Sequence, residues 1–228
     1  MDKWQEERKT LMRLIAQEIT ASTKDALVLK GGTSLLLAYA LDRFSVDMDY
    51  DAKYPVDLEK HIERAVGKCG IEIKAINLSK DTNTTKRYKI HYEEHNTSRP
   101  PFPLKLECSF RQALTIDEAD VIEIDEIRVY RINKLAEQKV GAFLSRERAR
   151  DIYDIHFLLR KHPDAFNNSI LKQLVDEIDR KGIDMILKAY EDDSEADDVL
   201  SNTDGMTIVL ELEQLAHSLR DRLQEGTK

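Results

Sequence analysis

The chain has 228 residues, of which 41% are hydrophobic and 34% charged, with a net charge of −8. That length suits one large domain or two small ones with a true core, and the composition is that of an ordinary soluble globular protein. The acidity is uneven: Glu191 to Asp198 carries six acids and no base, so the remainder is close to neutral. A nearly neutral body argues against a large dedicated nucleic-acid platform while leaving room for a local basic groove, and the acidic run reads as a solvated loop between helices. No apolar run approaches the roughly 20 residues of a membrane helix. The N-terminus has early acids and no small-residue cleavage site, which is unlike a secretory signal. Cys69 and Cys108 have no metal-ligand spacing and read as two buried thiols of a cytoplasmic protein.

In chain order, Lys3 to Thr23 carries Trp4, Leu11, Leu14, Ile15 and Ile19 at helical spacing. Asp25 to Leu29 reads as a short buried strand, Thr33 to Leu41 as a helix, and Val46 to Asp51 as an alternating strand. Pro55 to Cys69 reads as a helix with Pro55 near its first turn and Gly70 as its stop. From Ile71 the period changes to two, and "IEIKAINL", "KRYKIHYEE", "PLKLECSFR" and "VIEIDEIRVYR" are four strand candidates, punctuated by Asn83 and "SRPPFP". From Ile132 the pattern is helical: Ile132–Leu144, Asp151–Lys161, Asp164–Ile178, Ile183–Tyr190 and Met206–Gln224. An α+β domain over 1–130 followed by a helical-bundle domain over 131–228 is therefore expected.

Two local features carry chemistry. In "VDMDYD" the alternation puts Val46, Met48 and Tyr50 on one face and Asp47, Asp49 and Asp51 on the other. Neighbouring carboxylates repel unless a cation lies between them, and hard oxygen ligands in that arrangement suit Mg²⁺. An edge strand with its acids in solvent would look the same. Upstream, "KGGTS" lies between a strand and a helix, where free amides and the helix dipole favour an anion. Gly31 and Gly32 allow positive φ and close approach of a ligand, and Thr33 and Ser34 supply hydroxyls or a cap. The Lys precedes the glycines, so this is not a Walker loop. A phosphate cradle one short helix away from two metal-binding carboxylates can hold an NTP–Mg²⁺ complex.

Gly-Gly-Thr-Ser at a helix start, followed by Asp-x-Asp on a strand, resembles the DNA polymerase beta-like nucleotidyltransferase superfamily. The longer string "KGGTSLLLAYALDRFSVDMDYD" is similar to one branch, the AbiEii-type abortive-infection toxins. That branch carries Arg-x-Ser-x-Asp-x-Asp, matched by Arg43, Ser45, Asp47 and Asp49. It also carries a downstream helical Lys and an Arg-Asp-x-x-Asp-type segment, resembled by "KLAEQKVGAFLSRERARDIYDIHFLL" with Lys139 and Asp151. The resemblance spans about Leu27 to Leu159. It implies a mixed sheet with flanking helices, Mg²⁺ or Mn²⁺ on Asp47 and Asp49, and phosphates held by Gly31, Gly32, Thr33 and Ser34. Arg43 and Ser45 would touch phosphate, and Lys139 would neutralise phosphate charge with Asp151 orienting it. The branch usually has an acid on an intervening strand, where this chain offers Glu107. Alternation puts Lys105, Glu107 and Arg111 on the polar face, so Glu107 reads as a third ligand or base, and equally as a cross-strand ion pair. Asp154, one turn after Asp151, competes for its role.

The resemblance implies nucleotidyl transfer from an NTP to an RNA acceptor such as a tRNA end, by the toxin of a toxin–antitoxin pair with a cognate antitoxin and no membrane partner. A nucleotide-binding interaction module without turnover, or another NTP-dependent phosphotransferase, stays open. A glycosyltransferase is disfavoured, because only about 30 residues precede the Gly-Gly turn, too few for a Rossmann-like domain. A metal nuclease would need the Lys after the Glu, whereas Lys105 precedes Glu107.

Overall fold

The computed structural model describes residues 2–68, 70–93, 102–111, 116–195, 197 and 199–225. The chain divides into two compact units, Met1–Ala40 with Phe44–Arg131, and Leu41–Arg43 with Ile132–Lys228.

The first unit is α+β. Its helices are α1 (Lys3–Thr23), α2 (Gly31–Ala38) and α3 (Glu59–Lys68). Its strands are β1 (Leu27–Lys30), β2 (Asp47–Ala52), β3 (Ile73–Thr82), β4 (Thr85–Tyr92), β5 (Leu104–Ser109), β6 (Val121–Ile124) and β7 (Ile127–Tyr130). Among the described residues they form one mixed seven-stranded sheet, in the order β3-β4-β5-β2-β1-β7-β6. β2 runs parallel to β5 and antiparallel to β1, and β1 runs parallel to β7. Leu29, Met48, Tyr50, Tyr88, Leu106 and Cys108 are buried on one face of the sheet, and α1 packs against α3, β1 and β7. α1 starts from a capping box in which Asp2 accepts from the Gln5 amide at 2.8 Å and Gln5 accepts from the Asp2 amide at 3.0 Å. Leu11, Met12, Ile15 and Ile19 are its buried stripe.

Several boundaries differ from the sequence expectation for identifiable reasons. α2 begins two residues early, at Gly31, and ends at Ala38 because Ala40 takes the left-handed region (φ +57°). α3 begins at Glu59, not Pro55; Asp57, whose carboxylate accepts from the Glu59 amide at 3.1 Å, marks its start. The last strand candidate is a hairpin of two strands: Asp125 and Glu126 both adopt positive φ, as a tight turn between right-twisted strands requires. Cys69, residues 94–101 of the "KRYKIHYEE" and "SRPPFP" stretches, and Ala196 and Asp198 of the acidic run lie outside the described residues.

The second unit is helical, with α4 (Ile132–Ser145), α5 (Ala149–Lys161), α6 (Asn168–Lys181), α7 (Ile183–Ser194) and α8 (Gly205–Glu225), and a single 3₁₀ turn at Pro163–Ala165. α5 and α8 pack together, and Phe143, Ile152, Ile155, Leu174, Ile178, Tyr190 and Leu212 fill the core. The acidic run is not simply a loop. Glu191 to Ser194 prolong α7, and Asp193 caps α5 by accepting from the Ala149 amide at 2.9 Å and from Arg148 at 2.6 Å. Asp197 accepts from Arg150 at 2.5 Å. Among the described residues no helix is long and apolar enough to cross a membrane.

One buried base ties α1 to the two central strands. Arg8 is 1% exposed, and it donates to the carbonyls of Val46 at 3.3 Å, Phe102 at 2.8 Å and Pro103 at 3.0 Å, and to the Tyr92 hydroxyl at 3.1 Å. The rings of Trp4, Tyr92 and Phe102 surround its guanidinium with centroids 5.2–5.9 Å away. Val46 enters β2 and Pro103 enters β5, so Arg8 holds the starting ends of both. Arg8→Leu is expected to cost at least about 2 kcal/mol of unfolding free energy, read by urea denaturation, because several carbonyls lose their donor at once.

Candidate active site

Register decides which polar side chains meet. Cross-strand partners share a face. Asp49 lies opposite Lys30 on β1 and Glu107 on β5, and Glu107 lies opposite Arg87 on β4. One row therefore reads Lys30, Asp49, Glu107, Arg87. The adjacent row reads Asp47, Lys105, Lys89. Asp47, Asp49 and Glu107, expected together, are thus gathered on the polar face of two parallel strands.

The charges on this face are nearly all answered by neighbours. Lys105 Nζ donates to Asp47 Oδ2 at 2.5 Å, and Arg87 donates to Glu107 Oε2 from Nε at 2.6 Å and lies 2.5 Å from it through Nη2. Asp51, on the same face, is 5% exposed and accepts from Lys30 and from the Tyr130 hydroxyl at 2.9 Å, which makes it a structural acid. Burial pushes the Tyr130 hydroxyl up, and the Asp51 charge adds to that push. Asp49 is the exception. Among the described residues no donor reaches its carboxylate and no base pairs with it. Burial pushes it above the usual carboxylate range, the charges of Asp47 and Glu107 push the same way, and Lys105 and Lys30 oppose them.

The start of α2 abuts that carboxylate. Gly31 has φ +73°, and a Cβ added there would lie 3.3 Å from Asp49 Oδ2. Gly32 stays outside the positive-φ region, so one glycine of the pair, not both, needs that freedom. Among the described residues no side chain caps the helix, so its first amides have no side-chain acceptor there. The hydroxyls assigned to the nucleotide bond internally. Ser34, fully buried, donates to the Gly31 carbonyl at 2.8 Å. Thr33 bonds the Asp47 carbonyl and lies 2.9 Å from the Ser45 hydroxyl, and both side chains are buried. These bonds fasten the turn to the start of β2.

Arg43, Lys139 and Asp151 lie in the second unit, with Asp154. Arg43 donates to both oxygens of Asp154, each at 2.7 Å. Lys139 lies 2.7 Å from Asp154 and donates to Asp151 at 2.9 Å, and Asp151 also accepts from Arg146 at 2.9 Å. Asp154 is 0% exposed. Burial opposes the charged Lys139, but Asp154 and Asp151 outweigh it and hold the ammonium above its usual value. Burial would likewise raise Asp151; Lys139 and Arg146 overcome it and hold the carboxyl below its usual range. Asp151 and Asp154 therefore share one network, in which each bonds Lys139 and Asp154 alone takes Arg43. Among the described residues, no group of three or more acids, histidines and cysteines converges as a preformed cation site.

Two measurements check this geometry. Gly31→Ala is expected to cost about 1–2 kcal/mol by urea denaturation, since a Cβ disfavours positive φ and would press on Asp49. Asp151 has a depressed folded-state pKa, so its stabilising contribution is complete above its unfolded value of about 3.9 and is lost as pH falls through the lower folded value. Asp151→Asn should therefore be less stable than the parent at neutral pH, and the gap in thermal midpoint should close as pH falls below about 4.

The structure of JHP933 from Helicobacter pylori is similar, with a TM-score of 0.88 and 28% identity, over 100% of this chain and 96% of that one. MenT4, the nucleotidyltransferase toxin Rv2826c from Mycobacterium tuberculosis H37Rv, shares the fold at a TM-score of 0.58 and 15% identity, over 95% of this chain and 86% of that one. No match is found among curated proteins. The family profile described as nucleotidyl transferase AbiEii toxin, type IV toxin–antitoxin system, matches residues 13–221. With an α+β nucleotidyltransferase-like sheet, a helical C-terminal part and that match over most of its length, the chain belongs to the AbiEii nucleotidyltransferase toxin family.

Proposed function

We propose that the first unit binds a nucleoside triphosphate with Mg²⁺ or Mn²⁺ and transfers its nucleotidyl group to a hydroxyl of an RNA acceptor, such as a tRNA end. The observation that carries this reading is the unpaired Asp49 carboxylate beside Asp47 and Glu107, pressed against the uncapped start of α2. Amides that favour phosphate and carboxylates that repel it share a few ångströms, and a divalent cation reconciles them. The donor set fits: hard carboxylate oxygens on one face, with few enough protein ligands to leave places for water and triphosphate, as Mg²⁺ prefers. When bound, that ion supplies charge neutralisation and Lewis-acid polarisation at the α-phosphorus.

In this reading the amides at Gly31 and Gly32 orient the phosphates, while Thr33, Ser34 and Ser45 hold the turn in place. Asp47 and Asp49 bind the ion. The acceptor oxygen bonds to the α-phosphorus, the α–β phosphoanhydride bond breaks, pyrophosphate leaves, and the hydroxyl proton passes to water. Arg87 on Glu107 favours a charge-balancing role for that carboxylate over proton abstraction. Lys139, Asp151 and Arg43 act as positioning residues within the helical unit. Membership of the toxin family supports a cytoplasmic toxin with a cognate antitoxin as its protein partner.

Incubation with labelled NTPs, Mg²⁺ and total RNA tests the reading. Label should move to RNA, and Asp47→Asn should reduce the rate by about 10²–10⁴-fold, the worth of several kcal/mol of transition-state stabilisation. Nucleotide binding with no transfer to any acceptor would favour a binding module instead, and no nucleotide or metal binding would remove both.

A further inference from the structure

The bases on the polar face are not equivalent. Arg87 grips Glu107 through two nitrogens on one oxygen, and Lys30 holds an Asp51 already fixed by Tyr130. Lys105 has a single partner among the described residues, Asp47 Oδ2, and its side chain is 34% exposed. It occupies, from the neighbouring strand, a carboxylate that a cation held by Asp47 and Asp49 would also need. An ammonium on a four-carbon stem is strongly hydrated and free to turn, unlike a forked guanidinium. A divalent ion beside Asp47 and an ammonium on the same carboxylate would repel each other, and the doubly charged ion gains more from two carboxylates than the ammonium gains from one. Among the described residues Asp47 is held by Lys105 and Glu107 by Arg87, which leaves Asp49 as the unpaired acid of the group.

We propose that Lys105 is the internal counter-cation of Asp47, a positioning residue that a divalent ion displaces and that then turns to the non-bridging oxygens of the triphosphate. This rests on the assignment of the ion to Asp47 and Asp49 made above. Lys105 thereby weakens binding of the bare ion and strengthens binding of the ion together with nucleotide. Its ammonium keeps the acids in place while the site is empty and becomes a phosphate ligand when it is filled.

Mn²⁺ alone, titrated into the full chain and followed by the electron paramagnetic resonance of the free ion, gives the first readout. Lys105→Met should bind Mn²⁺ about three- to fivefold more tightly than the parent, the range for losing a competitor worth about 0.6–1 kcal/mol in a partly exposed pair. Lys105→Gln should change in the same direction. Lys89→Met removes the neighbouring charge of the same row without touching Asp47, and should shift the affinity by less than about twofold. At saturating Mn²⁺, a non-hydrolysable NTP analogue should bind Lys105→Met more weakly, with Lys105→Arg recovering part of the loss. Unchanged or weaker Mn²⁺ binding in both Lys105 variants, folded by circular dichroism, would overturn the proposal, as would an equal gain in Lys89→Met. Failure of the parent to bind Mn²⁺, or equal binding by Asp47→Asn, would overturn the ion assignment itself.

Discussion

Carboxylates two residues apart on one strand cannot all stay ionised without cations, and the first unit is organised around that constraint. Asp47, Asp49 and Asp51 share a face of β2, and the parallel strand β5 adds Glu107 in register with Asp49. Three bases and a tyrosine hydroxyl, from β1, β4, β5 and β7, answer all of these acids but one. The remaining carboxylate, Asp49, lies against a helix start that would attract an anion. The local charge balance is thus left incomplete at one position, where a mobile cation and a phosphate can complete it together. Arg8 underlies this arrangement by pinning the ends at which β2 and β5 begin, since a slip of one residue in either strand would send the acids into the apolar layer.

The helical unit meets a similar electrostatic problem in the opposite way. Arg43 and Lys139 lie buried with Asp151 and Asp154, Arg146 also reaches Asp151, and every charged group of the network is bonded. A buried network of this kind tolerates no missing member, because the partner left behind is an uncompensated charge away from water. Its conformational specificity has a visible use. The segment Leu41–Arg43 belongs to the helical unit, although Asp47, four residues later, begins the strand of the other. The contiguous string "RFSVDMD" therefore serves two units: its arginine is committed to a helix core and its aspartates to a sheet face.

Much of this was readable from local pattern. Alternation alone separates Asp47 and Asp49 from Met48 and Tyr50, and Lys105 and Glu107 from Leu106 and Cys108. Helical spacing found the five described helices of the second unit, although α6 starts at Asn168 and not Asp164, since Pro163–Ala165 form a 3₁₀ turn and Asn167 caps the helix; the glycine turn between a short strand and a helix was visible in "VLKGGTS". What went astray depended on local conformations and distant partners that pattern underdetermines. The turn at Asp125 and Glu126 has none of the glycine that usually marks positive φ, so two strands looked like one. The acids of Glu191–Asp198 looked solvated, because their partners, Arg148 and Arg150, are more than 40 residues away in the chain.

By itself the sequence determined the element types, the family, and which face of each strand is polar, because those properties follow from spacing along the chain. Only the tertiary structure decided who meets whom on that polar face. Pairing of β2 with β5 sets Lys105 on Asp47 and Glu107 beside Asp49, across nearly 60 residues. The same holds for the hydroxyls of Thr33, Ser34 and Ser45, whose composition suggests phosphate ligands and whose bonds are internal. Alternation is a property of one strand; register is a property of two, and the charge on Asp49 depends on the second.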